Sequence, residues 1–188
     1  MPESPIGGDQ SAMPGTTGHA VCNPQSAIHF VTIGVYGWDE ARFFAALVEA
    51  GVDTFCDLRA RRGVRGAEYA WANSARLQAR LRGLGIRYLH CLELAPGEGT
   101  RAAQAAADKS AGTAKRQRAI LSVAFIQAYR RERLDGFDSF AFVAGLGPEA
   151  HVAALFCVER EPAACHRSLV AERLVKELGA RVTHLLPD

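Results

Sequence analysis

The chain has 188 residues, 48% of them hydrophobic, which is enough for one compact domain with a substantial core. Its formal net charge of +2 is too small to select a class of partner. Five cysteines, an odd number at scattered positions, do not form the framework of a secreted disulfide protein, and no apolar run approaches the ~20 residues of a membrane-spanning helix.

Residues 1–27 are rich in Gly, Pro, Ser, Thr and Gln without periodicity, and read as a disordered tail. No charged segment followed by an apolar stretch marks a signal peptide, so the expected compartment is the reducing cytoplasm. Ile28 to Ile33 is a first strand, ending at Gly34. Asp39 is placed to cap a helix carrying Phe43, Phe44, Leu47 and Val48, which Gly51 stops. Val52 to Leu58 is the second strand. The segment from Arg59 to Arg87 holds eight arginines and one acid, Glu68, a local positive excess that the net charge hides. Asn73 or Ser74 can cap the next helix, with Leu77, Leu81 and Leu84 on one face and Gly85 at its end.

Ile86 to Leu92 is the third strand. The Ala-rich stretch 98–112 fits either a helix or a mobile loop. Arg116 to Leu134 presents a helical face of Ile120, Val123, Phe125, Ile126 and Tyr129, and Phe137 to Glu149 a short helix broken by Gly145, Gly147 and Pro148. Val152 to Val158 is the fourth strand, Arg167 to Leu178 a helix with Leu169, Val170, Leu174 and Leu178 inward, and Arg181 to Leu186 the last strand.

Strands separated by helices imply a single α/β domain over residues 28–188. Its expected fold is a doubly wound, mainly parallel sheet of about five strands with helices on both faces. In such a sheet the strand C-termini share one edge, where ligands bind. That edge receives Gly34 to Trp38, Asp57 to Arg65, His90 to Glu93, Cys157 to Glu159 and Cys165 to Ser168.

Four of these segments, with their spacing, carry a family likeness. Thr32-Ile33-Gly34, Asp57-Leu58-Arg59, Ile86 to His90 with Glu93-Leu94, and Cys157-Val158-Glu159 with Cys165-His166-Arg167 resemble the DUF488 family. The resemblance implies a small α/β protein with no settled reaction. Many members carry His where this chain has Val35, and a Pro-x-Ser-Arg segment where it has Arg61-Arg62-Gly63-Val64-Arg65-Gly66.

At the fourth-strand junction, Cys165, His166, Arg167 and Ser168 open a helix whose free N–H groups favour anions. Together with Arg59 they form a candidate anion site. Cys165 is a candidate nucleophile, because a helix N-terminus and arginine lower a thiol pKa. His166 is a candidate base for it, although adjacent residues in a helix do not face each other. Asp57, Glu93 and Glu159 are candidate acid/base groups or orienting carboxylates. Cys157, Cys165 and His166 can alternatively ligate zinc, but their cysteines lack the tight Cys-x-x-Cys spacing of a structural site. The sequence therefore assigns no metal and names no cofactor. A fourth ligand from Cys56, Asp57, His90 or Cys91 requires converging strand ends. Arg61, Arg62 and Arg65 among glycines, followed by Tyr69, suit a phosphate-bearing chain with exposed bases. The leading expectation is a hydrolase or group transferase acting on a phosphorylated small molecule, nucleotide or nucleic acid. The alternatives are a non-catalytic nucleic-acid-binding accessory protein or a cysteine-based thiol or metal sensor.

Overall fold

The computed structural model describes residues 28–187, so the tail expected over residues 1–27 lies outside the described residues. Strands β1 (His29–Ile33), β2 (Thr54–Asp57), β3 (Arg87–His90), β4 (Val152–Phe156) and β5 (Arg181–Leu185) form one sheet in the order β3-β2-β4-β1-β5. Every pairing is parallel, with His29 opposite both Val152 and Arg181 and Thr54 opposite both Arg87 and Ala153.

Side chains alternate between the two faces of each strand. Phe30, Cys56, Ala153 and Leu155 enter one core, and Val31, Ile33, Phe55, Ala154 and Phe156 the other. Helices α1 (Glu40–Glu49) and α2 (Ser74–Gly83) cover the second face through Phe43, Phe44, Leu47, Leu77 and Leu81. α3 (Glu98–Ser110) settles the ambiguous Ala-rich stretch as helix and packs on α4 (Val123–Tyr129). α4, α5 (Ser139–Leu146) and α6 (His166–Leu178) cover the first face. The expected doubly wound arrangement is present.

Local chemistry explains several boundaries. The Asp39 side chain accepts from Arg42 N at 2.9 Å, the cap read from the sequence. The helix expected over 116–134 is instead interrupted. Ser122 caps α4 by accepting from Phe125 N, and the chain before it is tied down by Leu121 N donating to Ala163 O. Ile120 and Val123 are 70% exposed, so the apolar periodicity that included them overran the true start. Beyond Tyr129 the helix widens into a π-turn over Arg130–Leu134.

The winding also locates a crevice. Connections leaving β1 and β2 run through α1 and α2 on one face. The connection leaving β4 runs through α6 on the other. β4 lies between β1 and β2, so loops diverge at its C-terminal end, where open α/β sheets hold their ligands.

Candidate functional site

Where β4 ends, Cys157 N donates to Ile33 O, and Val35 N and Tyr36 N both donate to Val158 O. The loop after β4 is thereby strapped to the end of β1. It turns through a short 3-10 segment, Pro162–Ala164, and reaches Cys165 in an extended conformation, φ −139° and ψ 140°. This backbone matters for the chemistry. Neighbours within a helix point apart, but Cys165 precedes the helix, so its Sγ lies 3.9 Å from His166 Nδ1. Cys157 Sγ approaches the same nitrogen at 3.8 Å and Glu159 Oε2 at 3.5 Å. The ligating atoms of Cys157, Cys165 and His166 all lie within 4.8 Å of one another, despite the wide sequence gap that argued against a metal.

His166 Nε2 sits 3.2 Å from the Leu58 carbonyl oxygen. A carbonyl only accepts, so Nε2 carries a proton in either charge state of the ring, and Nδ1 is the nitrogen that faces the sulfurs. Tyr129 backs the imidazole, ring centroids 5.3 Å apart, while its hydroxyl donates to Leu94 O at 2.6 Å. Burial pushes the Cys165 thiol up, but the hydrogen bond from Cys157 and the Arg167 and His166 charges outweigh it and hold the thiol well below its usual range. Cys157 moves the other way, raised by its hydrogen bond to Cys165, by burial and by the Cys165 and Glu159 charges. Burial lowers His166, but the Cys165 charge and hydrogen bond outweigh it and raise the imidazole above its ordinary value.

Arg167 is fully buried. Its Nη1 donates to Glu159 O at 2.6 Å and its Nη2 to Arg160 O at 2.7 Å, so the guanidinium fastens the loop that carries Glu159. Ser168 Oγ donates to Cys165 O at 2.9 Å and completes the first turn. Of the four residues expected at this helix start, Cys165 and His166 line the cavity, while Arg167 and Ser168 serve the backbone.

Asp57 and Arg59 form a dry bidentate pair. Nε and Nη2 of Arg59 donate to the two Asp57 oxygens at 2.8 and 2.7 Å, and its Nη1 donates to Ala72 O at 2.9 Å. The guanidinium lies 4.6 Å from the Phe156 ring centroid. Tyr88 adds a hydroxyl to Asp57 Oδ2 at 2.7 Å, and His90 Nε2 donates to Arg59 O at 2.9 Å. Glu93 is exposed on the 3-10 turn Leu92–Leu94, away from the cavity wall.

The cavity itself has a volume of about 680 Å³. Cys157, Glu159, Cys165 and His166 contribute to its lining; Arg61, Gly63, Val64 and Arg65 approach from one side and α3 from the other. The arginine loop is pinned to the start of α2, with Val64 N donating to Asn73 Oδ1 at 2.7 Å and Ser74 N to Arg62 O at 3.1 Å. Arg61 and Arg65 are exposed, and among the described residues their guanidinium groups meet no hydrogen-bonding or ionic partner. Arg62 instead faces Tyr88. Tyr69 packs 5.3 Å from Tyr36, and the Arg116 guanidinium covers both rings at 5.1 and 5.3 Å, so the Tyr69 ring is already stacked.

Two site residues, Arg118 and Asp108, were not assigned to the cavity from the sequence. Arg118 pairs with Asp108 on α3 and reaches Glu159 Oε1 at 3.7 Å. In the sequence Lys115, Arg116 and Arg118 form a basic run that reads as an extension of the basic surface or as a solvated face. The position of Arg118 beside the carboxylate follows from the break before α4, which the periodicity did not reveal.

The sequence profile described as "Domain of unknown function DUF488" matches residues 40–174, well over half of the chain. The chain belongs to the DUF488 family. The match spans the arginine loop, α3 and the whole Cys157–Arg167 segment. No curated protein and no solved structure matches the chain. Among the described residues no helix is long and apolar enough to cross a membrane.

Proposed function

We propose that this DUF488 protein is an enzyme, a hydrolase or group transferase, acting on a phosphate-bearing small molecule, nucleotide or nucleic acid in the cavity at the C-terminal end of β4. The observation that carries this reading is the pair of guanidinium groups, Arg61 and Arg65, that meet no partner among the described residues and line the same cavity as Glu159 and Cys165. Exposed arginines on a glycine-containing loop bind phosphate at little desolvation cost, and their planar forks match its oxygens. Glu159, oriented by Arg118, is the proton acceptor for an attacking water or hydroxyl. Cys165 and His166 stand beside it as polar groups able to meet charge that develops on the ligand. A reducing, cytoplasmic setting belongs to the same reading, because it keeps Cys157 and Cys165 as thiols.

The test is a thermal-shift panel of inorganic phosphate, mononucleotides and short single-stranded DNA and RNA, run on wild type and on the Arg61→Ala/Arg65→Ala double variant. A ligand that binds only the folded state raises its melting temperature. Stabilisation of wild type by a phosphate compound, lost in the double variant, supports the reading. No stabilisation by any phosphate compound overturns it. Stabilisation by oligonucleotides alone, with Glu159→Gln binding them as wild type does and no product formed by either protein, favours a non-catalytic nucleic-acid-binding accessory protein.

A further inference from the structure

We propose that Cys157, Cys165 and His166 form a three-ligand Zn²⁺ site whose fourth coordination position faces the cavity. The site is independent of whether the cavity's ligand carries phosphate.

The geometry is close to what the ion needs. Zn–S bonds of about 2.3 Å and Zn–N bonds of about 2.0 Å at tetrahedral angles set sulfur and nitrogen about 3.5 Å apart. The two sulfur–nitrogen separations here are 3.8 and 3.9 Å, and all three ligand atoms fall within 4.8 Å of one another. Closing the site moves each sulfur–nitrogen pair by a few tenths of an ångström and brings the sulfurs, within 4.8 Å of each other, to about 3.8 Å.

The surroundings fit as well. A metal-bound imidazole commonly donates its second ring nitrogen to a carbonyl or carboxylate, which fixes the ring and leaves the other nitrogen for the ion. His166 does this through Nε2 and Leu58 O. Each ligand stands on a rigid support: Cys157 directly follows the central strand, and Cys165 and His166 begin α6, whose Arg167 clamps the intervening loop. Two thiolates and an imidazole select a soft or borderline cation over Mg²⁺ or Ca²⁺.

The fourth position stays open because the other candidate ligands are engaged elsewhere. Asp57 is held by Arg59 and Tyr88, His90 donates to Arg59 O, and Cys56 hydrogen-bonds Cys91. Three protein ligands with a free position facing a cavity is the pattern of catalytic rather than structural zinc. Glu159, 3.5 Å from Cys157 Sγ, stands where a carboxylate would contact a water held there.

The experiment uses the full chain, stripped with a chelator and titrated with Co²⁺ as a coloured substitute for Zn²⁺. One equivalent producing thiolate-to-cobalt charge-transfer absorption and strong four-coordinate visible bands, reversed by Zn²⁺, is the expected result. Cys157→Ser and Cys165→Ser each weaken the charge-transfer band, and the double variant loses it. Failure of wild type to bind Co²⁺, or an unchanged band in the double variant, overturns the site. X-ray absorption on Zn²⁺-loaded wild type needs no variant: two sulfurs and one imidazole in the first shell support the assignment, and a shell of oxygen alone overturns it. The Arg61→Ala/Arg65→Ala variant keeps its metal whatever happens to phosphate binding, so the two proposals fail separately.

Discussion

Gly34 and Glu159 meet backbone to backbone. A Cβ on Gly34 would stand 1.9 Å from the Glu159 carbonyl oxygen, the same oxygen that accepts from Arg167 Nη1. The neighbour is main chain held on two sides, so it cannot swing aside. Gly34→Ala therefore destabilises the fold by an amount at the upper end of the ~1–3 kcal/mol that overpacking usually costs. Urea unfolding measures the loss. A variant as stable as wild type would mean that the loop after β4 yields more easily than its hydrogen bonds imply.

The Asp57–Arg59 pair is dry, with both side chains almost fully buried. Removing one partner leaves the other charge buried and uncompensated. Asp57→Ala is expected to cost about 3–5 kcal/mol, read from the shift of the denaturant midpoint at unchanged slope. Full stability combined with lost turnover would return Asp57 to the reaction as an acid/base group.

Glu132, on the π-turn after α4, holds the start of α3 from a distance. It accepts from Gly97 N at 3.0 Å and Thr100 Oγ1 at 2.6 Å. Burial pushes its carboxyl up, but these hydrogen bonds and the Arg133 and Arg101 charges outweigh it and lower it below the ordinary glutamate value. The folded state therefore binds this proton less readily than the unfolded chain. The resulting stability is present above the ordinary glutamate pKa and is lost as pH falls through the depressed one. Glu132→Gln should be less stable near neutrality and lose less on acidification, which chemical denaturation across acidic pH would show. A parallel decline in both proteins would remove Glu132 from the account.

Tyr88 gives the opposite sign at the other end of the scale. Burial, aided by the Asp57 carboxylate and opposed by Arg62, raises its phenol from about 10 to about 12. The folded chain keeps this proton longer than the unfolded one. Its contribution is intact below about pH 10 and falls as pH climbs towards 12. Ultraviolet titration of phenolate should show two late tyrosines, Tyr88 and the more deeply buried Tyr129, of which Tyr88→Phe removes the earlier. A Tyr88 that ionises at about pH 10 would show that its contact with Asp57 does not hold in solution.

Much of the fold was legible because the three central strands, β1, β2 and β4, are buried on both faces and read as near-continuous apolar runs. Val152 to Phe156 could be placed as a central strand for that reason, and its C-terminal end as the ligand edge. Asp39 announced its helix by chemistry alone. The helix over 123–134 was harder: Ile120 and Val123 are exposed, and tertiary ties, not periodicity, set its start. At the site, Cys157, Glu159, Cys165 and His166 were named from sequence. The convergence of Cys165 and His166 was hidden because it depends on an extended backbone one residue before a helix. The spent guanidinium groups of Arg59 and Arg167 were equally hidden. An arginine in sequence looks the same whether it faces a ligand or a carbonyl.

β1 and β2 never touch. β4 alone joins the β5–β1 pair to the β2–β3 pair, and it enters the chain only after residue 151. A growing polypeptide thus carries the β2–β3 pair and an unpaired β1 until about four-fifths of it is made, and the final zipping closes very distant segments at an entropic cost. The cysteine–histidine cluster hangs from that same late strand. Reactive groups and finished architecture consequently arrive together, and an incompletely synthesised chain exposes no assembled centre to metals or oxidants.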